Sequence, residues 1–492
     1  MTANQPASEP VDVAENFDRI AALHSDKPAL TVDDVTLTYR ELQSLSRRAA
    51  SHLAAMGVVQ DSIVALPMHN SHEQHAFFFG AWRLGATPLP MSPKLPDAEL
   101  EKILEVAGTR FVLKEGQDLA AQPEWTGPYT VATLFRAQTT GGSTGVPKVI
   151  VDTQPSRIVL GTTWKWGYDE GPAMFIPGPT YHSGPMNHSV EGLSRGLHVI
   201  MMRRFDAERG AALINRYKPH WALFVPTMMN RILKLPKEVL DATDFSTLTH
   251  VWTSAAYCPA WLKQAWMDLI GPEAIWEIFG GSEGCATTII NGTEALAHPG
   301  SVGRAFNGEI AIFGEDGEPV PAGTVGEIYM RNLDSPRRFK VTTQTKRRML
   351  RDWESFGDLG WLDDDGYLFL ADRRVDMINA GGQNIYPAEV EAAIQSHPSV
   401  ADAVVFGQPD DDLGEIVTAL VWAPDGKLTR DDLDEYLATQ IVRYKIPRRI
   451  AFADGPIRND AGKVRRSDLV ISAADDGKLM SLGAEDDVAV GS

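Results

Sequence analysis

Short apolar segments alternate with amphipathic segments along the chain as far as about residue 270. Between Tyr39 and Met56, leucine and alanine recur at helical spacing, and Gly57 would end that helix. The apolar run Ile63–Met68 that follows is typical of a buried strand. Strand–helix units of this kind stack into layers with mostly parallel sheets, because each helix must bury its apolar face. The sequence therefore predicts an α/β fold.

The alternation continues beyond these two elements, and then the strands change character. The further predicted elements are the helices Ser71–Leu84, Glu99–Val106, Ala211–Tyr217 and Trp261–Leu269 and the strands Phe111–Lys114 and Trp221–Val225. Past Gly300, the strands Glu309–Phe313 and Gly326–Arg331 are separated by glycine-containing turns, which predicts a compact β unit. We expect a loose N-terminus before Tyr39, and no internal repeat is evident.

A smaller domain is predicted at the C-terminal end. Its predicted elements are the helices Glu389–Ser396 and Arg430–Thr439 and the strands Ala403–Gly407, Ile416–Trp422 and Arg449–Phe452. A chain of 492 residues is too long for one ordinary core. We therefore predict a large multi-subdomain core over residues 1–374, a small mobile α+β domain over residues 375–471, and a disordered acidic tail over residues 472–492.

Composition limits the classes of function that fit. A formal net charge of −19 argues against general affinity for nucleic acid or anionic membranes. The two cysteines, Cys258 and Cys285, are too few for a disulfide framework or a cysteine-rich metal site. The polar first residues do not fit a signal peptide, and the apolar runs are too short to span a bilayer. We expect a cytoplasmic protein.

The strongest functional signal is the run Gln-Thr-Thr-Gly-Gly-Ser-Thr-Gly-Val-Pro-Lys that ends at Lys148. Glycines such as Gly142 let backbone amides approach a polyphosphate closely. The hydroxyls of Thr140, Ser143 and Thr144 add donors, and the lysine adds a cation. The run is not a Walker loop, in which the lysine directly follows glycine. Taken alone, it could also be a flexible surface linker.

Three further segments place polar side chains in glycine-rich surroundings. Near residue 280, Ser282 could bond a phosphate oxygen and Glu283 could hold Mg²⁺, which prefers oxygen ligands. Asp358 could accept hydrogen bonds from a ribose diol, and Arg373 could contact the same ribose or a phosphate. Lys463 lies on a predicted tight turn. Each has an ordinary structural alternative: a strand-to-loop turn, a surface salt bridge or a solvated lysine.

Together, and in this order, these segments resemble the motifs of the adenylate-forming superfamily of acyl-CoA synthetases, luciferases and peptide-synthetase adenylation domains. The resemblance extends from about Lys27 to Leu469. The family's phosphate loop usually reads Thr-Ser-Gly-Thr-Thr-Gly-x-Pro-Lys-Gly. Here Gly141 takes the serine place, Ser143 that of the first later threonine, and Val149 that of the final glycine.

The resemblance implies a role for each segment. Ser282 would contact the α-phosphate, Glu283 would hold the metal, and Lys463 would be the adenylation lysine. The implied phosphate-binding residues are Thr140, Gly142, Ser143, Thr144 and Lys148, and the implied nucleotide-binding residues are Ser254, Ala255, Ala256, Phe279, Gly280, Asp358 and Arg373.

The resemblance also suggests an acyl pocket and a loop for thiol transfer. The pocket candidates are His182, Met186, Asn187, Phe224, Thr227, Met228 and Gly281. The segment Thr180–Ser183 carries no carboxylate to pair with a substrate ammonium, so a plain organic acid is favoured over an amino acid. Gly381, Gly382 and Gln383 resemble the loop that faces the active site during thiol transfer. Val375 stands at the pivot, where relatives carry Asp or Lys, and pivoting needs only a change of backbone torsions.

The implied reaction has two steps and uses ATP, Mg²⁺ and coenzyme A. The acid would first become acyl-AMP with release of pyrophosphate, and coenzyme A would then take the acyl group and release AMP. Residues 90–96 and the following helix are similar to bacterial ligases for bulky polycyclic acids, which suggests a steroid- or terpenoid-like substrate; an aryl or fatty acid is the alternative. A carrier protein as acceptor, and an inactive nucleotide-binding protein, stay open.

Overall fold

The computed structural model describes most of the chain. The described residues are 9–140, 148–159, 166–281, 286–332, 339–341, 348–355, 357–373, 376–380, 383–410, 413–459, 462–464, 466, 469–471 and 479–481. Over these residues the protein has a large α/β core followed by a small α+β unit, which confirms the predicted fold class.

The first third of the chain mixes helices with short strands. In order, its elements are β1 (Val11–Asp12), α1 (Val13–Leu23), β2 (Pro28–Val32), β3 (Val35–Thr38), α2 (Tyr39–Ala55), β4 (Ile63–Pro67), α3 (His72–Arg83), β5 (Thr87–Met91), α4 (Asp97–Ala107), β6 (Phe111–Val112), β7 (Arg136–Thr140), β8 (Lys148–Asp152) and β9 (Arg157–Ile158). Helix α2 begins with a capping box, in which the Thr38 amide donates to Glu41 Oε2 over 2.8 Å.

The middle of the chain alternates strands and helices. Its elements are β10 (Ala173–Ile176), α5 (Ser183–Arg195), β11 (His198–Met201), α6 (Ala207–Tyr217), β12 (Trp221–Phe224), α7 (Pro226–Leu233), α8 (Lys237–Ala242), β13 (His250–Thr253), α9 (Ala260–Ile270), β14 (Ile275–Gly280), β15 (Thr287–Asn291) and α10 (Gly292–Ala297). Helices α6 and α9 and strand β12 correspond to elements that the hydrophobic periodicity predicts, and the alternation itself is of the predicted kind.

The remaining elements are mostly strands. They are β16 (Ser301–Asn307), β17 (Glu309–Phe313), β18 (Gly326–Arg331), β19 (Phe339–Val341), β20 (Arg348–Leu350), β21 (Trp353–Ser355), β22 (Asp358–Leu362), β23 (Leu368–Arg373), β24 (Ile378–Ala380), β25 (Gln383–Ile385), α11 (Pro387–Gln395), β26 (Asp402–Asp410), β27 (Gly414–Trp422), α12 (Arg430–Gln440), β28 (Arg449–Phe452), β29 (Leu469–Ile471) and β30 (Leu479–Ser481). Of the tail predicted to be disordered, the structure describes only β30, which pairs with β29.

One long sheet organises the large core. Its strand order is β20-β21-β18-β22-β23-β16-β15-β14-β13-β12-β10-β11-β2-β3, and β17 pairs with β18. The strands from β14 through β11 to β2 are parallel, whereas β15 runs antiparallel to β14. Helices α1, α2, α3 and α5 lie in the apolar cluster on one face of the parallel part, and α6, α7 and α9 in the cluster on the other.

The predicted loose N-terminus is wrong for residues 9–38, which the structure describes. Asp12 is the N-cap residue of helix α1, and its carboxylate accepts hydrogen bonds from the amides of Ala14 and Glu15, each over 3.0 Å. Phe17 on this helix is fully buried and stacks on Phe79 with ring centroids 4.0 Å apart. The prediction overlooked the helical spacing of the apolar residues in this segment.

Residues 376–466 form the small unit that follows the core, and we call them the C-terminal domain. In it, β24, β25, β26, β27 and β28 make one sheet, and α11 and α12 cover a separate apolar cluster that includes Val390, Leu433 and Leu437. Arg466 donates to Asp376 over 2.7 Å and so joins the two ends of the domain. A core of its own is what a domain that moves as a unit requires.

Candidate active site

Two strand ends bring the segments predicted to bind adenine side by side. Strands β13 and β14 are parallel neighbours, and Thr253 is the register partner of Glu277. Residues 254–256 follow β13, while Phe279 and Gly280 end β14. In open α/β sheets, ligands bind in the crevice outside the carboxyl ends of the parallel strands. These segments lie at that edge of the sheet.

The backbone at this edge is unusual and fits a close ligand. Ala255 has a φ of 74°, in the left-handed region that residues with a side chain rarely adopt. A Cβ on Gly280 would lie 2.8 Å from Thr287 Cγ2, so β15 can approach β14 only because this residue is glycine. Thr253 Oγ1 is buried and has no hydrogen-bond partner among the described residues. A buried hydroxyl of this kind suits the polar edge of a bound nucleotide.

A buried ion pair that the sequence analysis missed supports the same edge. Lys263 on α9 forms an ion pair with Glu277 on β14, and both side chains are almost fully buried. The ammonium also donates to the carbonyl of Ser301 over 3.1 Å. Burial, the largest single influence, acts to lower the pKa of Lys263, but the charge and hydrogen bond of Glu277 together with other nearby groups raise it overall. Nothing in the spacing of two single charged residues could have predicted this pair.

Some predicted residues lie outside the part of the chain that the structure describes. They are Gly142, Ser143, Thr144, Ser282, Glu283, Val375, Gly381 and Gly382. Thr140 and Lys148 are described as backbone and are register partners in the antiparallel pair of β7 and β8. The predicted phosphate loop therefore connects two paired strands, which hold its two ends together.

Side chains of β7, the strand before the predicted phosphate loop, contact α5, the helix that carries several acyl-pocket candidates. The side-chain oxygen of Gln138 on β7 accepts hydrogen bonds from the Ser183 hydroxyl on α5 and from Arg136. Its amide nitrogen lies 3.9 Å from the sulfur of Met186, which is buried. Strand β7, which ends where the predicted phosphate loop begins, is thus joined to α5.

His182 stands at the start of α5 and is the N-cap residue of that helix. Its Nε2 atom is buried and has no hydrogen-bond partner among the described residues. Burial, and to a smaller extent the positive charge of Lys463, lowers the pKa of His182 to about 3. The imidazole is therefore neutral at physiological pH, and its buried nitrogen is available to a ligand. Asn187 Oδ1, further along α5, is likewise buried without a partner in the described chain.

The pocket candidate Phe224 lies in the apolar cluster on the face of the sheet opposite α5. Phe224 packs against Phe175 and Trp266, with ring centroids 5.8 Å and 5.5 Å away, in the cluster on the face opposite α5. Strand residues alternate between faces, so it is Leu223 that points toward α5, 3.2 Å from where a Cβ on Gly184 would be. Met228 does reach the α5 side, since its methyl carbon is 4.0 Å from the Cβ position of Gly178.

The two residues predicted to contact the ribose are partners in the sheet. Asp358 begins β22 and Arg373 ends β23, and they are opposite each other in the antiparallel register. Asp358 is half-buried. A pair of neighbouring polar residues at one end of a β ladder can contact adjacent atoms of one ligand.

Lys463 lies on a turn of the C-terminal domain that contacts the large core. The Lys463 amide donates to Asn459 Oδ1 over 3.0 Å, and the Asn459 amide donates to the Lys463 carbonyl over 2.9 Å. A Cβ on Gly462 would lie 3.2 Å from Thr227 Oγ1 and 3.7 Å from Val225 Cγ2. The turn therefore rests on the start of α7, and Lys463 is close enough for its charge to act on His182.

The predicted thiol-transfer loop is described only in part. Gln383 is exposed and begins β25, where it is the register partner of Ala380 on β24. Within the described chain, no helix is both long enough and apolar enough to span a bilayer.

The structure thus combines a large α/β core, open at the carboxyl ends of its parallel strands, with a small domain whose turn at Gly462 and Lys463 contacts that core. The family model for AMP-binding enzymes matches residues 17–134 and 115–334, and the model for the AMP-binding enzyme C-terminal domain matches residues 389–463. The chain belongs to the AMP-binding enzyme family, as one of its acyl-CoA synthetases, which confirms the resemblance seen in the sequence.

Individual proteins that are similar to this chain are also ligases or synthetases of this kind. A long-chain-fatty-acid–CoA ligase of Mycobacterium tuberculosis is 29% identical, covering 89% of this chain and 93% of the relative. A fatty acid–[acyl-carrier-protein] ligase of Streptomyces coeruleorubidus is 30% identical, covering 90% and 92%. The structure of o-succinylbenzoate CoA synthetase from Bacillus subtilis, solved with its acyl-adenylate, has a TM-score of 0.78 at 24% identity and covers 96% of this chain and all of that one. This last likeness shows the fold.

Proposed function

We propose that this acyl-CoA synthetase converts a hydrophobic carboxylic acid and ATP into acyl-AMP and pyrophosphate, and then transfers the acyl group to coenzyme A with release of AMP. The observation that carries the proposal is the position of Lys463, whose turn rests on Thr227 and whose charge reaches the buried His182. A cation brought by one domain to the pocket side of another is what the first step needs.

The first step is difficult because a carboxylate and a polyphosphate repel each other. An oxygen of the acid attacks the α-phosphorus of ATP, and the bond to pyrophosphate breaks. Lys463 would neutralise charge on the carboxylate and the α-phosphate, since its ammonium is a compact charge on a flexible stem. The rest of the site contributes mainly positioning of the two substrates.

Other residues would bind the nucleotide. Thr140, Ser143, Thr144 and Lys148 would hold the β- and γ-phosphates, and Ser282 would contact the α-phosphate. Residues 254–256 would lie against adenine, and Asp358 with Arg373 would bind the ribose. Mg²⁺, held by Glu283, would supply charge neutralisation at the phosphates, and a carboxylate is the type of ligand that it prefers.

The second step needs a different arrangement of the C-terminal domain. A rotation at Val375 would withdraw Lys463 and bring the segment with Gly381, Gly382 and Gln383 to the site. The sulfur of coenzyme A would then attack the acyl carbon, and the bond to AMP would break.

The pocket supports a wide ring-containing acid better than a long straight chain. Six residues beyond His182 on α5, the imidazole of His188 is half-buried and packs against aromatic rings. Its Nδ1 lies 2.5 Å from the Tyr168 hydroxyl, and its ring is 4.9 Å from that of Trp221 and 5.4 Å from that of Trp166. Rings that fill the space between α5 and the sheet limit how far an acyl chain can extend there. We therefore propose a bulky, polycyclic acid as the substrate, with an aryl acid or a fatty acid as alternatives.

Pyrophosphate release across a panel of acids tests the substrate class. The panel contains short and long fatty acids, aryl acids such as indoleacetate, and polycyclic carboxylates of steroid or terpenoid type. We expect the highest kcat/KM for a polycyclic or aryl acid. A preference for long straight chains would contradict the proposed class of acid, although it would leave the reaction unchanged.

Two alternative functions are separated by the products. A carrier protein with a phosphopantetheine thiol is a plausible acceptor, because one of the similar proteins is named as an acyl-carrier-protein ligase. Thioester formation should therefore be measured with coenzyme A and with a loaded carrier protein. An inactive nucleotide-binding protein would bind ATP but show no acid-dependent exchange of labelled pyrophosphate into ATP, with any acid of the panel.

A further inference from the structure

Helix α7 contacts the C-terminal domain at both of its ends. At its start, Val225 and Thr227 lie against the position of Gly462 on the turn that carries Lys463. At its end, Asn230 Nδ2 donates to the carbonyl of Ala401 over 3.3 Å, and Lys234 is the C-cap residue. The helix has eight residues, so the two contacts are about 10 Å apart on a rigid rod.

Lys234 makes the densest of these contacts. Its ammonium donates to the carbonyls of Gln395 over 2.9 Å and of His397 over 3.2 Å, and also to that of Val400. Gln395 is the last residue of α11, and the other two carbonyls belong to the turn that follows it. The last carbonyls of a helix have no partner within the helix and carry a partial negative charge, so a cation is well placed there.

Lys234 is half-buried at this contact. Burial lowers the pKa of Lys234 to about 8, so that the ammonium is still mostly charged at neutral pH. Its Nζ lies 6.0 Å from the ring centre of Trp261, whose own Nε1 donates to the carbonyl of Ala392 on α11 over 3.2 Å. A charged donor with three carbonyl acceptors makes strong hydrogen bonds.

Because α7 contacts the C-terminal domain at two places, it fixes the orientation of that domain on the large core. A single contact would leave the domain free to rotate about it. We propose that Lys234 is a positioning residue for acyl-AMP formation: it holds α11 so that the turn with Lys463 rests on Thr227. This inference rests on the proposed function, in which the C-terminal domain rotates between the two steps. Rotation would separate Lys234 from its three carbonyls, so the residue acts only in the first step.

The test compares Lys234→Met with the conservative variant Lys234→Arg and the control Lys237→Ala. Methionine keeps the length of the side chain without the charge. Lys237 is exposed on α8 and pairs with Asp241 of the same helix over 2.7 Å. Two rates are measured for each: single-turnover formation of acyl-AMP, and formation of acyl-CoA from supplied acyl-AMP.

We expect Lys234→Met to lower the rate of acyl-AMP formation about tenfold or more, because hydrogen bonds from a charged group are lost. The rate from supplied acyl-AMP should stay within about twofold of that of the unmodified enzyme. Lys234→Arg should recover part of the first rate, and Lys237→Ala should change neither. Equal losses in both rates, or no loss in the first, would overturn the inference.

A measurement of domain docking that needs no catalysis tests the role of Lys234 independently of the proposed reaction. Spin labels are attached through Glu238→Cys and Asp431→Cys, two exposed positions on the two domains, in a Cys285→Ala background. The distance distribution between them should show a docked population that Lys234→Met reduces about tenfold relative to the undocked one. An unchanged distribution would refute the role of Lys234, even in a protein that activates no acid of the panel.

Discussion

Gly462 packs against the side chain of Thr227 in the large core. A Cβ atom built on Gly462 would lie 3.2 Å from Thr227 Oγ1. Because Lys463 is the next residue, this contact fixes the position of the Lys463 backbone, from which its side chain extends. The φ of Gly462 is 72°, in the left-handed region. A side chain at position 462 would therefore be unfavourable for two reasons: the left-handed backbone conformation, and the close contact with Thr227 of the large core.

Gly462→Ala should impair acyl-AMP formation more than it impairs folding. The left-handed conformation costs alanine about 1 kcal/mol, and the contact with Thr227 would push the turn away from α7. We expect the single-turnover rate of acyl-AMP formation to fall about tenfold, while the melting temperature falls by a few degrees.

Gly426→Ala is the matched control for that variant. Gly426 belongs to the same domain and has a φ of 62°, but a Cβ built on it would have nothing within 4 Å. It should lower the melting temperature to a similar extent and leave acyl-AMP formation unchanged. If both variants slow the reaction equally, the strain of the backbone and not the contact with Thr227 is responsible.

Lys463→Ala should separate the two half-reactions completely. We expect acyl-AMP formation to fall about a hundredfold or more, because charge that develops on the carboxylate and α-phosphate is no longer neutralised. Acyl-CoA formation from supplied acyl-AMP should be retained, since the lysine acts only in the first step. Lys427→Ala, at an exposed lysine of the same domain, is the control. Loss of both activities in the Lys463 variant would show that it has no specific part in adenylation.

Asp18→Asn should be strongly destabilising. The Asp18 carboxylate accepts hydrogen bonds from Arg83 over 2.6 Å, from Arg47 over 3.0 Å and from the Tyr129 hydroxyl over 2.5 Å. Arg83 is fully buried, so the amide would leave its charge without a compensating partner. The expected loss in the free energy of unfolding is about 3–5 kcal/mol.

Asp26→Asn is the control for this prediction, because the Asp26–Arg40 pair has a similar distance of 2.7 Å but both side chains are exposed. Its loss should be about 1 kcal/mol or less. Denaturant unfolding of the two variants measures both values. Similar losses would mean that the burial of the Asp18 cluster does not set its strength.

Periodicity predicted the elements whose apolar residues follow one regular spacing. It predicts α2 as Tyr39–Met56, and the structure has Tyr39–Ala55; the strands Glu309–Phe313 and Gly326–Arg331 agree at both ends. Helix α5 was not predicted, because its sequence contains two glycines and a proline, which disfavour helices in isolation. Its packing against the sheet outweighs these propensities.

The long-range contacts of the site carried no signal in the sequence. Lys463, Asp358 and Thr140 could be predicted as site residues from the sequence, because each lies in a glycine-rich segment. By contrast, Lys234 contacts backbone carbonyls 161 to 166 residues away, and any residue type offers a carbonyl. The position of Phe224, on the face of β12 away from α5, also carried no signal, since the sequence does not tell which face of a strand looks toward a given helix.

Buried histidines should make the protein sensitive to mild acid. His188 is half-buried among aromatic rings, and this burial lowers its pKa to about 3, whereas the same residue in the unfolded chain titrates near 6.5. Between these two values the unfolded chain binds more protons than the folded one, so stability falls as the pH is lowered, by about 1 kcal/mol per pH unit for this group. Unfolding by urea at pH 7.5, 6.0 and 5.0 measures the slope. His188→Gln removes the titrating group but keeps a polar side chain, so its stability should depend less steeply on pH below 6.5; equal slopes for the two proteins would show that His188 takes up its proton without unfolding.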